Sequence, residues 1–400
     1  MYQKISKSLF NTFLAISFFT VCSQKKKDWL PLKSYKGEYT EQIAMPNDGI
    51  DTGTVSLNGK GELLELGQSV PAPIFVDPNY HGSCDPEIVW NKHDQQWYIY
   101  YTARRPMLEN TWLATPLGVI VSKDLVNWEF KGYCKFDGIG GEKDATSTYW
   151  APAIISVNDT IHMFVTWKPD TIPTEGVWGG RGSIVHYKAP LNNPIDGWQK
   201  VGALHDSTLN TIDATVYKNE RLFHIWYKGK EIGEKKNELY HLATPNFRDW
   251  KKLGFSESDV FNAEATGANF EEAPYIFQWK NKFWLITDSH NGFLVYNSND
   301  GENWNFQSTI LKVEGTRNLD NSIARHCSVA VKSGRAFIFY HVEPWRRYDL
   351  EKKKEPERQY IFDQPLKNRE SVLQMAELEF VDGRIECNRN KILEIGSKNY

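Results

Sequence analysis

The chain is 400 residues long, with 14% aromatic residues, 15 tryptophans and a formal net charge of −3. Its acidic and basic residues are interspersed, which leaves no electrostatic case for a nucleic-acid partner. No long helical period of apolar residues follows the N-terminus, while Val, Ile, Tyr and Phe recur throughout. That pattern predicts a soluble, mostly β chain.

The chain opens with Lys4 and Lys7 ahead of an apolar run from Leu9 to Val21. This run is too short to span a bilayer as a stable anchor and has the layout of an export leader. Phe19-Thr20-Val21-Cys22 resembles a bacterial lipoprotein cleavage box, with Cys22 as the lipidated residue. The alternative is plain secretion with Cys22 an ordinary thiol. The expectation is a leader over residues 1–22, a tether over 23–35 and a single folded unit over 36–400. It places the protein in the periplasm or on the surface of a bacterium, touching membrane only through a lipid on Cys22. Four further cysteines, Cys84, Cys134, Cys327 and Cys387, match no zinc spacing. A disulfide is open to them outside the cytoplasm, but buried thiols are expected.

A layout then recurs five times: a polar opening, an apolar strand, a polar turn and an aromatic strand. The first copy is HGSCDPEIVWNKHDQQWYIYYTA, His81 to Ala103. There the Asp85-Pro86 step removes a backbone donor and holds the aspartate extended at the start of a strand. The second is TYWAPAIISVNDTIHMFVTW, with Asn158-Asp159 as its hairpin turn. The third runs from Thr211 to Lys230, the fourth from Phe270 to Ser289 and the fifth from Ala324 to Val342. Outer segments follow the copies, among them GVIVSKDLVNWEF after the first and LYHLATPNFRDW after the third. A last hairpin around Asp382-Gly383 completes the fifth copy or covers its edge.

The openings read as Asp85, Ala151, Asp213, Glu272 and His326, separated by 66, 62, 59 and 54 residues. A regular period carrying four short strands is the signature of a propeller blade. The expected fold is therefore an all-β, five-bladed β-propeller, in which the five openings converge on one channel. Three of them are carboxylates. Acids gathered in a cleft push their pKa values apart, so one stays ionised while another keeps its proton. Glycoside hydrolysis requires that division of labour.

These residues resemble glycoside hydrolase family 43 and its five-bladed relatives over about residues 75–345. Asp85-Pro86 resembles the first-blade aspartate of the family, which acts as general base. Tyr149-Trp150-Ala151-Pro152 resembles the second-blade Trp-Ala-Pro-Asp motif, with Ala153 where the family has aspartate. Ile212-Asp213 resembles the third-blade aspartate that orients the acid and tunes its pKa. Glu272-Ala273-Pro274 resembles the fourth-blade Glu-Gly-Pro, whose glutamate is the general acid; Glu271 precedes it as a second candidate. Arg325-His326-Cys327-Ser328 resembles the fifth-blade Gly-His-x-Ser. Ser122 to Trp128 matches a frequent family turn.

The resemblance implies an inverting glycosidase with Asp85 as base, Glu272 as acid and Asp213 raising the pKa of Glu272. His81, Trp150, Arg325 and His326 are the expected sugar contacts. No cofactor is required, and no metal ligand is assigned, although His326 is placed where a calcium-type ion could be held through waters. The expected substrate is a terminal arabinofuranose, xylose or galactose unit of a plant or algal saccharide, removed by exo action. Two other readings stay open: a relative acting on 3,6-anhydro-galactosides, and a non-catalytic carbohydrate-binding propeller. Arg104 and Arg105 read as solvated loop residues, and the tryptophans outside the openings as packing between blades.

Overall fold

Each of the five segments forms a four-stranded antiparallel meander, ordered from the channel outwards. Blade 1 comprises Ser83–Asn91, Gln96–Ala103, Leu117–Ser122 and Glu129–Tyr133, and blade 2 comprises Thr148–Val157, Thr160–Lys168, Ser183–Pro190 and Gln199–Ala203. Blade 3 holds Leu209–Lys218, Phe223–Glu231, Glu238–Thr244 and Lys251–Leu253; blade 4 holds Glu272–Trp279, Lys282–Asp288, Phe293–Ser298 and Asn305–Ile310. Blade 5 is Arg325–Lys332 and Arg335–Val342, completed by the C-terminal hairpin Val372–Val381 and Arg384–Cys387. The computed structural model describes residues 68–396, apart from 107–110, 143–146, 170–180, 205–208, 220, 232–237, 254–258, 269 and 345–368. The leader, Cys22 and the tether lie outside the described residues, as do 170–180 and 232–237, most of two long loops (Pro169 to Arg181 and Gly229 to Asn237) whose length suggests a closed pocket and exo action.

The first strands of successive blades lie side by side, and that of blade 5 meets that of blade 1 to close a ring of five. Sheets stacked face to face must fill the space between them with side chains, and here aromatic residues do so. Trp97, Trp226, Trp284 and Trp304 are buried between blades, as their spacing predicts. Trp226 meets Trp304 edge-on, with ring centroids 5.6 Å apart. Cys84, Cys134 and Cys327 are buried free thiols and Cys387 is a partly buried one.

Outer hairpins reuse one turn. Ser122 Oγ accepts the Leu125 N–H, and Asp124 Oδ1 accepts those of Val126 and Asn127. Ser298 and Asp300 repeat these bonds in blade 4. The turn needs a left-handed residue, which is Leu125 at φ 72°, Phe247 at φ 58° and Gly301 at φ 75° in blades 1, 3 and 4. Closure is carried by short pairings between the two ends of the propeller. Gln68–Ser69 pairs with Glu394–Ile395, Phe75 bridges to Leu373, and Gly82 bridges to Ser371.

Candidate active site

The side chains at the channel are aimed by a bulge near the start of every first strand. The ladder slips between Cys84 and Glu87, Trp150 and Ala153, Ile212 and Ala214, Glu272 and Tyr275, and Arg325 and Cys327. In each bulge one residue is left-handed: Asp85 at φ 51°, where the following proline predicts an extended residue, Ala151 at 41°, Asp213 at 56°, Ala273 at 48° and His326 at 33°. Non-glycine residues in this region carry strain of about 1–3 kcal/mol each and persist only where the surroundings enforce them. A bulge re-aims its side chain and takes its N–H out of the ladder.

This alignment corrects the blade 4 opening. Its left-handed residue is Ala273, and Glu272 occupies the position just before it, as Cys84, Trp150, Ile212 and Arg325 do in the other blades. The proline register Asp85-Pro86, Ala151-Pro152, Ala273-Pro274 already carried this alignment.

The freed N–H groups find partners across the blade junctions. Directly opposite the residue before each bulge stand Thr102, Thr166, Lys228, Asp288 and His341 on the second strands. Four of these accept the N–H of the next blade's left-handed residue. Thr102 Oγ1 takes that of Ala151 at 2.9 Å and Thr166 Oγ1 that of Asp213 at 3.1 Å. Asp288 Oδ2 takes that of His326 at 3.1 Å, and His341 Nδ1 that of Asp85 at 3.1 Å. The fifth, Lys228, has no acceptor to offer. Its ammonium instead donates to Glu272 Oε2 at 3.0 Å.

At the centre stands His326, with Nδ1 3.0 Å from Asp85 Oδ1 and Nε2 3.4 Å from Glu272 Oε1. Arg104 lies 3.7 Å from Asp85 and 2.8 Å from Glu343, so it is a site residue and not a solvated loop residue. Arg105 is also buried, donating to the Leu113 carbonyl. Glu272 is further met by His290 Nε2 at 2.6 Å and Arg325 Nη2 at 3.6 Å. Arg325 Nε donates to Asp288 Oδ2 at 2.9 Å, which fixes the guanidinium. Phe270 covers this corner, its ring centroid 3.8 Å from the Lys228 ammonium and 4.2 Å from the His290 ring. Asp213 joins Glu272 and His326, with polar atoms of all three within 4.8 Å of one another.

Protonation follows from this geometry. Burial alone would push Asp85 up, but His326 and Arg104 outweigh it and hold the carboxylate ionised, well below the usual range. Burial likewise opposes charge on Glu272 and is overcome by Lys228 and His290, which hold its pKa low. His326 pays desolvation but is held protonated by Asp85 and its neighbouring carboxylates. His341 is kept neutral by burial and by Arg104, consistent with its Nδ1 accepting a hydrogen bond. Asp213 goes the other way: burial, reinforced by Glu272 and Asp85, raises it to about 7. Asp213, not Glu272, is thus the raised carboxyl: Lys228 and His290 overcome burial at Glu272, whereas at Asp213 burial together with Glu272 and Asp85 outweighs His326 and Lys228.

Of the residues singled out by sequence, Asp85, Asp213, Glu272, Arg325 and His326 come together. Glu271 points into blade 4, accepting hydrogen bonds from the Phe261 N–H, Thr287 and Tyr296. Trp150 donates its indole N–H to the Trp112 carbonyl at 2.7 Å, and the Lys168 ammonium sits 4.4 Å from its ring centroid. His81, an expected sugar contact, stands 3.5 Å from Glu370 with its side chain 57% exposed. Ala153, at the position of the family's aspartate, is buried in the core between blades 2 and 3.

Sequence reasoning missed Lys228, Asp288, His290, His341 and Glu343. The signal for three of them was the hairpin register, which sets Lys228, Asp288 and His341 opposite the residues before the bulges. Asp213, Glu272 and His326 are close enough to share a cation, but the donor set does not suit one. Glu272 is already neutralised by Lys228, His290 and Arg325, and His326 carries a proton where a metal ligand needs a lone pair.

No protein-family model matches the chain, and no curated protein sequence does. Solved structures do. A thermostable family-43 glycoside hydrolase aligns with a TM-score of 0.54 at 18% identity, over 81% of this chain and 100% of that one. A GH43_1 enzyme from Xanthomonas citri complexed with xylotriose aligns with a TM-score of 0.52 at 13% identity, over 80% and 93%. An α-L-arabinofuranosidase from Lactobacillus brevis aligns with a TM-score of 0.52 at 16% identity, over 82% and 100%. The chain has the five-bladed fold of the family-43 glycoside hydrolases.

Proposed function

We propose that the protein is a glycoside hydrolase that releases a terminal sugar from a plant or algal saccharide with inversion at the anomeric carbon. The observation that carries this reading is one ionised carboxylate, Asp85, facing across His326 a pair of carboxyls, Asp213 and Glu272, of which one keeps a proton near neutral pH. Asp85 is the base that takes a proton from water, and the pair supplies a proton to the leaving oxygen. Asp85 and Glu272 sit on opposite nitrogens of one imidazole. Inversion is the outcome that the family resemblance implies, and the anomer first released is what tests it. Arabinofuranosides, xylosides and galactosides are the first substrates to test, since family-43-fold proteins carry such names.

The test is incubation with a panel of defined oligosaccharides and aryl glycosides, following the released sugar and its anomer by proton NMR. Inversion, lost in Asp85→Asn, supports the reading. Retention rejects the mechanism, and glycan binding with no release across the panel assigns the protein to the carbohydrate-binding alternative. For localisation we propose export and a lipid on Cys22. Cys22→Ser should move the protein from the membrane to the soluble fraction and abolish labelling with radioactive palmitate; an unchanged distribution rejects the anchor.

A further inference from the structure

We propose that the proton delivered to the leaving oxygen resides on Asp213, and that Lys228 has converted Glu272 into a permanent anion that fixes the surrounding cations. This rests on the hydrolase reading and departs from the role that the family resemblance gives Glu272.

The two carboxyls have opposite surroundings. Four nitrogen groups crowd Glu272: Lys228 at 3.0 Å, His290 at 2.6 Å, His326 at 3.4 Å and Arg325 at 3.6 Å. A proton on this group would remove the counter-charge from the buried Lys228 ammonium and the cations beside it, a costly arrangement. Phe270 over the Lys228 ammonium keeps water from weakening the pair. Asp213 Oδ2 is buried with no hydrogen-bond partner among the described residues; Asp85 Oδ1 has none either, but it has the His326 ring nitrogen at 3.0 Å and Arg104 at 3.7 Å as counter-charges. An unpartnered buried oxygen is costly as an anion and tolerable as a hydroxyl that awaits an acceptor. The glycosidic oxygen would be that acceptor.

The cause lies in one position of the repeat. Threonine in blades 1 and 2, aspartate in blade 4 and histidine in blade 5 accept the next blade's N–H at this place. Lysine cannot, so its charge turns to the neighbouring pre-bulge residue, Glu272. The step balances without further reagents. Water gives a proton to Asp85 as its oxygen bonds to the anomeric carbon, while the C–O bond breaks and the leaving oxygen takes the Asp213 proton. Exchange with solvent then restores both groups.

Two measurements test this on the full-length protein. The first compares aryl glycosides with a good (dinitrophenyl) and a poor (methoxyphenyl) leaving group, because only the poor one needs a proton. Asp213→Asn should slow the poor substrate by about 10²–10⁴-fold, the typical contribution of general acid catalysis, and the good one far less. Glu272→Gln should slow both alike. The opposite pattern, leaving-group dependence in Glu272→Gln and none in Asp213→Asn, overturns the proposal while leaving the hydrolase reading intact. The second needs no turnover. Infrared difference spectra across neutral pH should show a protonated-carboxyl band that is absent from Asp213→Asn and present in Glu272→Gln, with Glu271→Gln run to remove its own signal. A band that instead disappears in Glu272→Gln overturns the proposal. Infrared support without hydrolysis of any substrate places the proton correctly and removes the hydrolase reading.

Discussion

Asp85 and Asp213 are two aspartates at equivalent left-handed positions of the same repeat, yet they ionise in different pH ranges. The difference comes from neighbours: His326 and Arg104 lie within 3.0 and 3.7 Å of Asp85 and outweigh its burial, whereas at Asp213 burial with Glu272 and Asp85 outweighs His326 and Lys228. Activity should therefore rise as Asp85 ionises, at a pH below the usual carboxylate range, and fall through about 7 as Asp213 loses its proton. Asp213→Asn should abolish the alkaline limb of the kcat/KM profile. Lys228 lowers the pKa of both Asp213 and Glu272, so Lys228→Thr should move that limb to higher pH. Glu271 is also pushed up to about 7, by burial that outweighs the hydrogen bonds it accepts. Its raised value makes a different prediction. The stability it contributes is present below the ordinary glutamate range and is lost as pH rises through about 7. Thermal melts of the wild type should drop across that interval, and Glu271→Gln should flatten the drop without moving the activity limb.

At the scale of strands and hairpins, the repeat was legible because each opening combines a turn or proline with an apolar run of fixed length. The third and fifth openings, Asp213 and His326, lie where that reading puts them, and the last hairpin supplies the outer half of blade 5. What the reading lacked was the bulge. A ladder that slips beside a left-handed residue shifts side chains by one place, so Glu272 and Ala273 exchanged roles in the alignment. Lys228, Asp288 and His341 were hidden for the same reason. Their importance depends on the residue across the hairpin, and that pairing is fixed only once the bulge is placed. Arg104 was read as solvated because it leaves a strand end, where composition gives no sign that Glu343 from blade 5 will meet it. His81 was the converse case, near Asp85 in sequence but turned towards Glu370. Packing between blades was easier to read, since large aromatics have few other places to go. Trp226, enclosed by Tyr217, His241 and Trp304, should cost about 3–5 kcal/mol when cut to alanine. A shift of the denaturant midpoint at constant slope is the measurement; no shift would mean that blades 3 and 4 do not share this core.

For the whole ring, closure depends on contacts between its two ends. Gln68–Ser69 with Glu394–Ile395 is one of them, and Arg104 with Glu343 and the Asp85 N–H with His341 are others at the channel. Deleting residues 391–400 should lower the melting temperature and reduce activity while the β-sheet circular dichroism persists. A truncated protein with full activity would show that the other closing contacts suffice.

His341 binds the Asp85 N–H across 256 residues of chain. The backbone that presents Asp85, the proposed base, is therefore completed by a segment of blade 5 made long after blade 1. A copy that stops before blade 5 should build several sound blades and still be silent, because the proposed base lacks the anchor that His341 gives its backbone. On the proposed mechanism, specific activity would serve as a census of closed rings: each turnover would report that blades 1 and 5 of one polypeptide have met.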